Sequence, residues 1–130
     1  MPAALEGSLE PHTRVVIHLP CRTPAEAKVT KRFANYLEAQ RRKPFAIKGY
    51  THSNSSFPTF TGYWRPSTRG SLLQENVVLF MIDYEHSLES QAMVDNLAQI
   101  KRLLQGWYVD FTGKPQDEIS MVAHPIARVV

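Results

Sequence analysis

Six consecutive apolar residues, Val77-Val78-Leu79-Phe80-Met81-Ile82, constrain this chain more than any other feature. A short, uninterrupted run of this kind suits a central β-strand. Strand side chains alternate between the two faces of a sheet, so both faces here are greasy and both need cover. The chain therefore needs a sheet at its centre and shelter on each side of it.

The surrounding sequence supplies the elements of such a sheet. Arg14-Val15-Val16-Ile17-His18-Leu19 is a short β-branched strand ended by Pro20, which lacks a ladder donor. Thr23 as N-cap, Pro24 at the first helical position and Glu26 completing a capping box open a helix. Its apolar stripe is Val29, Phe33, Tyr36 and Leu37, and it stops near Arg42 or Lys43, ahead of Pro44. Phe45–Tyr50 reads as a second strand and Thr51–Ser56 as a turn. Phe57–Arg65 is an aromatic, threonine-rich strand alternating through Phe60, Gly62 and Trp64; Pro66–Gly70 turns the chain again. The long strand Asn76–Tyr84 follows. A second helix starts near Ser87 or Ser90, carries Met93, Leu97, Ile100 and Leu104, and stops at Gly106. Residues 107–117 read as a loop, and Ile119–His124 as a last strand closed by Pro125, with 126–130 as its possible extension.

A length of 130 residues suits one domain, read as 13–130 behind a flexible lead-in, 1–12. The order β-α-β-(β)-β-α-β matches the α+β ferredoxin-like split βαβ plan, with a strand-rich aromatic insertion between core strands 2 and 3. Two helices cover only one face of such a sheet. Period two turns Val15, Ile17, Leu19, Val78, Phe80, Ile82, Ile119, Met121 and Ala123 toward the helices. Val16, His18, Val77, Leu79, Met81, Asp83, Ser120, Val122 and His124 then share the open face. Burying one such Val, Leu or Met is worth roughly 1.5–3 kcal/mol, so bare exposure of several is costly. The expected cover is the insertion 51–76, a second copy of the chain, or a ligand between them. This predicts an oligomer, a dimer first, with a pocket for a partly apolar small molecule lined by Val16, His18, Phe60, Trp64, Leu79, Met81 and His124.

Two other chemistries compete with simple binding. Cys21 precedes the first helix beside Arg22, where a thiol can be acidified into a nucleophile; the plain alternative is a small buried hydrophobe. His18, Asp83 and His124 share the open face and would make an acid–base group or three-ligand site if they met; the plain alternative is ordinary strand-end side chains. The basic segment 22–48, with aromatics after it, allows nucleic-acid binding. The Gly- and Lys/Arg-containing signature of an RNA-recognition sheet is absent from 77–84, however, and a net charge of +3 is weak. No phosphate-binding glycine motif, histidine-pair metal motif or cysteine cluster is present, so neither cofactor nor metal is expected. No apolar run is long enough to cross a membrane, and residues 1–7 lack the basic start and apolar core of a secretory signal. The resulting expectation is a cytoplasmic, self-associating binding module. The alternatives are a small enzyme using His18, Asp83 and His124, with or without Cys21, and a nucleic-acid-binding domain.

Overall fold

The computed structural model describes residues 8–41, 47–53, 60–64, 73–116 and 119–129, with backbone alone for 60–64 and 73–75. Among these residues five strands and two helices follow in the order β1 (Leu9–Pro20), α1 (Pro24–Arg41), β2 (Ile47–His52), β3 (Phe60–Trp64), β4 (Leu73–Tyr84), α2 (Gln91–Thr112) and β5 (Ser120–Val129). The architecture is α+β, an antiparallel sheet with two helices. The sheet runs β2-β4-β1-β5, and β3 pairs with β4 beside β2.

The register divides β4 into two halves. Its C-terminal half lies between β1 (Val15↔Ile82, Ile17↔Phe80, Leu19↔Val78) and β2 (Tyr50↔Ile82, His52↔Phe80). Its N-terminal half pairs with β3, from Phe60↔Val77 to Trp64↔Leu73. The β1 ladder ends at Pro20↔Val77, so residues 73–75 of β4 have only β3 beside them among the described strands. The inserted strand thus lengthens the sheet as a two-stranded ribbon; its backbone lies alongside β4.

Both helices pack on one face, as period two requires. Val15, Ile17, Leu19, Val78, Phe80 and Ile82 form one buried cluster with Val29, Phe33 and Leu37 of α1 and Met93, Ile100, Leu104 and Tyr108 of α2. The Phe33 ring meets Phe80 edge-on with centroids 4.8 Å apart. Tyr36 meets Trp107 in the same manner at 5.9 Å, joining the two helices. Ile119, Met121 and Ala123 lie against the same cluster, as alternation predicts.

Several boundaries differ from the sequence reading: β2 runs on to His52, β4 starts at Leu73 rather than Asn76, and three others have a visible cause. β1 starts at Leu9, inside the expected lead-in, because residues 9–12 find a partner in 126–129 (Leu9↔Val129, His12↔Ile126). β5 runs through Pro125, opposite Thr13; it is an edge strand, where a missing N–H is tolerated. α2 continues past Gly106 to Thr112 and ends at Gly113, whose φ of 76° is the left-handed conformation of a helix C-cap. The apolar stripe explains the extension: Tyr108 is one turn beyond Leu104, buried, and donates its hydroxyl to the Pro20 carbonyl at 2.8 Å. That anchoring outweighs the roughly 1 kcal/mol cost of a glycine inside a helix.

Candidate functional site

The open face of the sheet can be read from the ladder. Alternation and register place Met81, Val16 and Val122 in one row across β4, β1 and β5. Leu79, His18 and Ser120 form the next row toward the ribbon. Leu79, Met81, Val16 and His18 are partly exposed, and Val122 is 53% exposed. Val77 is buried but stands outside the core cluster, consistent with its place on this second face. Burial without a compensating charge pushes the His18 pKa down, so its ring is neutral near pH 7. Phe60 and Trp64, the expected aromatic side of the pocket, contribute described backbone only; their side chains lie outside the described residues.

The other end of this face is charged. The Arg14 guanidinium grips Asp83 with both arms, Nε to Oδ1 at 2.8 Å and Nη2 to Oδ2 at 2.9 Å. Arg128 adds a contact to Oδ2 at 3.5 Å. The Arg14 hydrogen bond is the main force holding the Asp83 carboxyl below its ordinary range; burial opposes it, and the charges of Arg14, Arg128 and His12 assist. His12 is buried, with Nε2 3.5 Å from Glu10 Oε1, and its Nδ1 has no hydrogen-bond partner among the described residues. Of this group the sequence reading singled out Asp83 alone. Parity already put Arg14, in the expected strand, on the same face; His12 was missed because residues 9–12 carried no strand signal.

The expected acid–base trio does not assemble. Asp83 and His124 both lie opposite Arg14, on either side of it, whereas His18 sits four residues farther along β1. At about 3.3 Å per residue that separation is about 13 Å, beyond any shared proton or metal ion. Asp83 is also occupied by two arginines, and no group of three or more potential metal ligands occurs among the described residues.

Cys21 belongs to the helix-side core, while His18 is on the opposite face. Burial first, and then the negative charge of Glu26, push the Cys21 thiol up, with Thr30 opposing weakly. This reverses the acidification expected from the neighbouring arginine. The cause is local: Glu26 takes the Arg22 backbone N–H at 2.7 Å and both arms of its guanidinium. The capping box therefore closes one residue farther back than expected, onto Arg22, and Thr23 Oγ1 accepts from the Glu26 N–H at 3.2 Å.

Three cations of the basic segment meet carboxylates, and Arg42 and Lys43 lie outside the described residues. Arg22 pairs with Glu26, Arg41 with Glu38, and Lys48 approaches Glu85 at 3.9 Å. Arg32 lies over the rings of Trp107 and Phe111 at 5.5 and 5.6 Å. Lys28 and Lys31 remain without a carboxylate partner among the described residues. A concavity of about 300 Å³ lies on the helix side, between α1 and the end of β2. No expected pocket residue with a described side chain lines it.

No family model and no curated protein matches the chain. Among solved structures, a phage SAM lyase in its apo state aligns with 94% of this chain and 89% of its own, at 16% identity and a TM-score of 0.41. No helix among the described residues is long and apolar enough to cross a membrane.

Proposed function

We propose that this chain is a small cytoplasmic binding module that self-associates through the open face of its sheet, two copies packing face to face. The observation that carries this reading is the contiguous block of Val16, Leu79, Met81 and Val122, partly or largely exposed on the face opposite the two described helices. A stable pair buries about 800 Å² per partner, about a tenth of the 8051 Å² of surface on this chain. The charged end, with Arg14, Asp83 and Arg128 already satisfied internally, would form a rim around the apolar block. The strand order, with β3 set aside as an insertion, supports reading the fold as a ferredoxin-like split βαβ domain of this single chain.

The same face offers a place for a small, partly apolar ligand, held by Val16, Leu79 and Met81 with neutral His18 as hydrogen-bonding group, beside the insertion 51–76. Sedimentation velocity over a range of protein concentrations tests the reading. The expected result is a dimer that Met81→Glu converts to a monomer with an unchanged circular dichroism spectrum. A wild-type chain that stays monomeric at about 100 µM, a concentration at which even micromolar pairs are populated, overturns it. Thermal-shift screening with apolar metabolites tests the ligand; a stabilising compound whose effect is unchanged in Leu79→Ala and His18→Ala removes the site from this face.

A further inference from the structure

The groove on the helix side lies away from the face invoked above and has a different chemistry. Among the described residues, β2 leaves β4 at His52↔Phe80, β3 joins at Val77, and Ser53 alone reaches the intervening stretch, its N–H to the Leu79 carbonyl and its Oγ from the Leu79 N–H, both at 3.0 Å. Across from this stretch, α1 presents Ala27, Lys28, Lys31 and Ala34. Their spacing puts them on one helix face, and the two alanines leave room beside the sheet.

The floor is aromatic and the rim is cationic. Phe80 is buried beneath, and the exposed His52 ring tilts against it with centroids 5.1 Å apart. Tyr50 continues the aromatic surface, stacked on His52 at 6.4 Å and 12°. Lys28 and Lys31 stand on the rim, and no Asp or Glu is among the described lining residues. Arg22, Arg41 and Lys48 each find a carboxylate; these two lysines, one helical turn apart, find none among the described residues. Like charges at that spacing repel on a helix, and an anion between them relieves the repulsion. Ser53 Oγ, having accepted from Leu79, still has its own proton to donate.

We propose that this groove binds a small planar organic anion, an aromatic ring carrying one carboxylate or phosphate, with the ring against the exposed His52, above the buried Phe80, and the charge between Lys28 and Lys31. The volume of about 300 Å³ is at the small end of ligand sites and fits one ring system with one charged group.

The test is a ¹H–¹⁵N titration of the intact chain with phenyl phosphate, run beside inorganic phosphate (charge alone) and benzyl alcohol (ring alone). Phenyl phosphate is expected to give saturable shifts at the amides of Lys28, Lys31, His52 and Ser53, with each half-ligand at least about tenfold weaker. Benzoate distinguishes a carboxylate from a phosphate preference. The exposed pair Lys28→Glu/Lys31→Glu is expected to weaken phenyl phosphate binding at least about tenfold without moving the Tm, and Met81→Glu to leave it unchanged. No saturation by about 10 mM, shifts centred elsewhere, equal affinity for inorganic phosphate, or an unaffected lysine double variant each overturn the proposal. Because the groove and the open sheet face are tested by separate variants, either can fail without the other.

Discussion

Replacing Arg14 by Leu tests whether the charged end of the open face is held by one ion pair or by many small contacts. Two unit charges about 4 Å apart attract by about 4 kcal/mol at the effective dielectric of a protein surface, and desolvation returns part of that. Hydrogen bonds to charged groups measure roughly 1.5–3 kcal/mol. The Arg14 side chain is 35% exposed and Asp83 14%, so solvent screening places the coupling near the lower end, about 1.5–2 kcal/mol. The Arg14→Leu, Asp83→Leu and double variants close the cycle, read by urea unfolding at fixed protein concentration. The pH dependence carries an independent sign. Asp83 has a depressed pKa in the folded chain, so its contribution is fully present above the ordinary carboxylate pKa of about 3.9. It is lost as pH falls through the lower folded value. The stability gap between wild type and Arg14→Leu should therefore be full at pH 7 and close in strong acid. A coupling below about 0.5 kcal/mol, the scatter expected of independent sites, or a gap that does not narrow in acid, refutes the assignment.

Three further outcomes follow from the helix and its cap. Gly106→Ala should stabilise the chain by about 0.5–1 kcal/mol, because Gly106 lies inside α2 and a Cβ there meets nothing within 4 Å; a lower urea midpoint would mean the helix ends where the sequence suggested. Tyr108→Phe should cost about 1 kcal/mol by removing the hydroxyl from the Pro20 carbonyl, with no change in helix content by circular dichroism. Cys21 should react with a disulfide reagent at neutral pH far more slowly than a free thiol and recover the free rate in urea, since burial and Glu26 disfavour the thiolate. Fast reaction in the folded state would contradict both causes.

What the sequence disclosed was whatever depends on near neighbours. Alternation alone separated Ile17 and Phe80 from Val16 and Met81, and the first helix was readable because its cap, its Pro24 and its stripe agree. The errors share a different origin. Gly106 and Pro125 are local stop signals overridden by partners far along the chain, the Pro20 carbonyl for one helix and Thr13 for the edge strand. His12 and Arg128 escaped notice because their approach to Asp83 depends on a register among β1, β4 and β5 that no local pattern encodes. His18 failed as a partner of Asp83 for the same reason: shared parity puts two side chains on one face and says nothing of their distance along it.

The edge of the sheet offers a rival route to self-association, and its side chains argue against it. β5 is a ten-residue strand with one free side among the described strands, enough backbone to template another chain. Pro125 at its middle has no N–H to give to an incoming strand. The apolar face has no such protection: from Thr51 through Met81 and Val16 to Val122, the row across the sheet carries no ionised side chain. The proposed face-to-face pairing therefore predicts that Met81→Glu, on the face, dissociates the pair while Pro125→Val, on the β5 edge, leaves it a dimer.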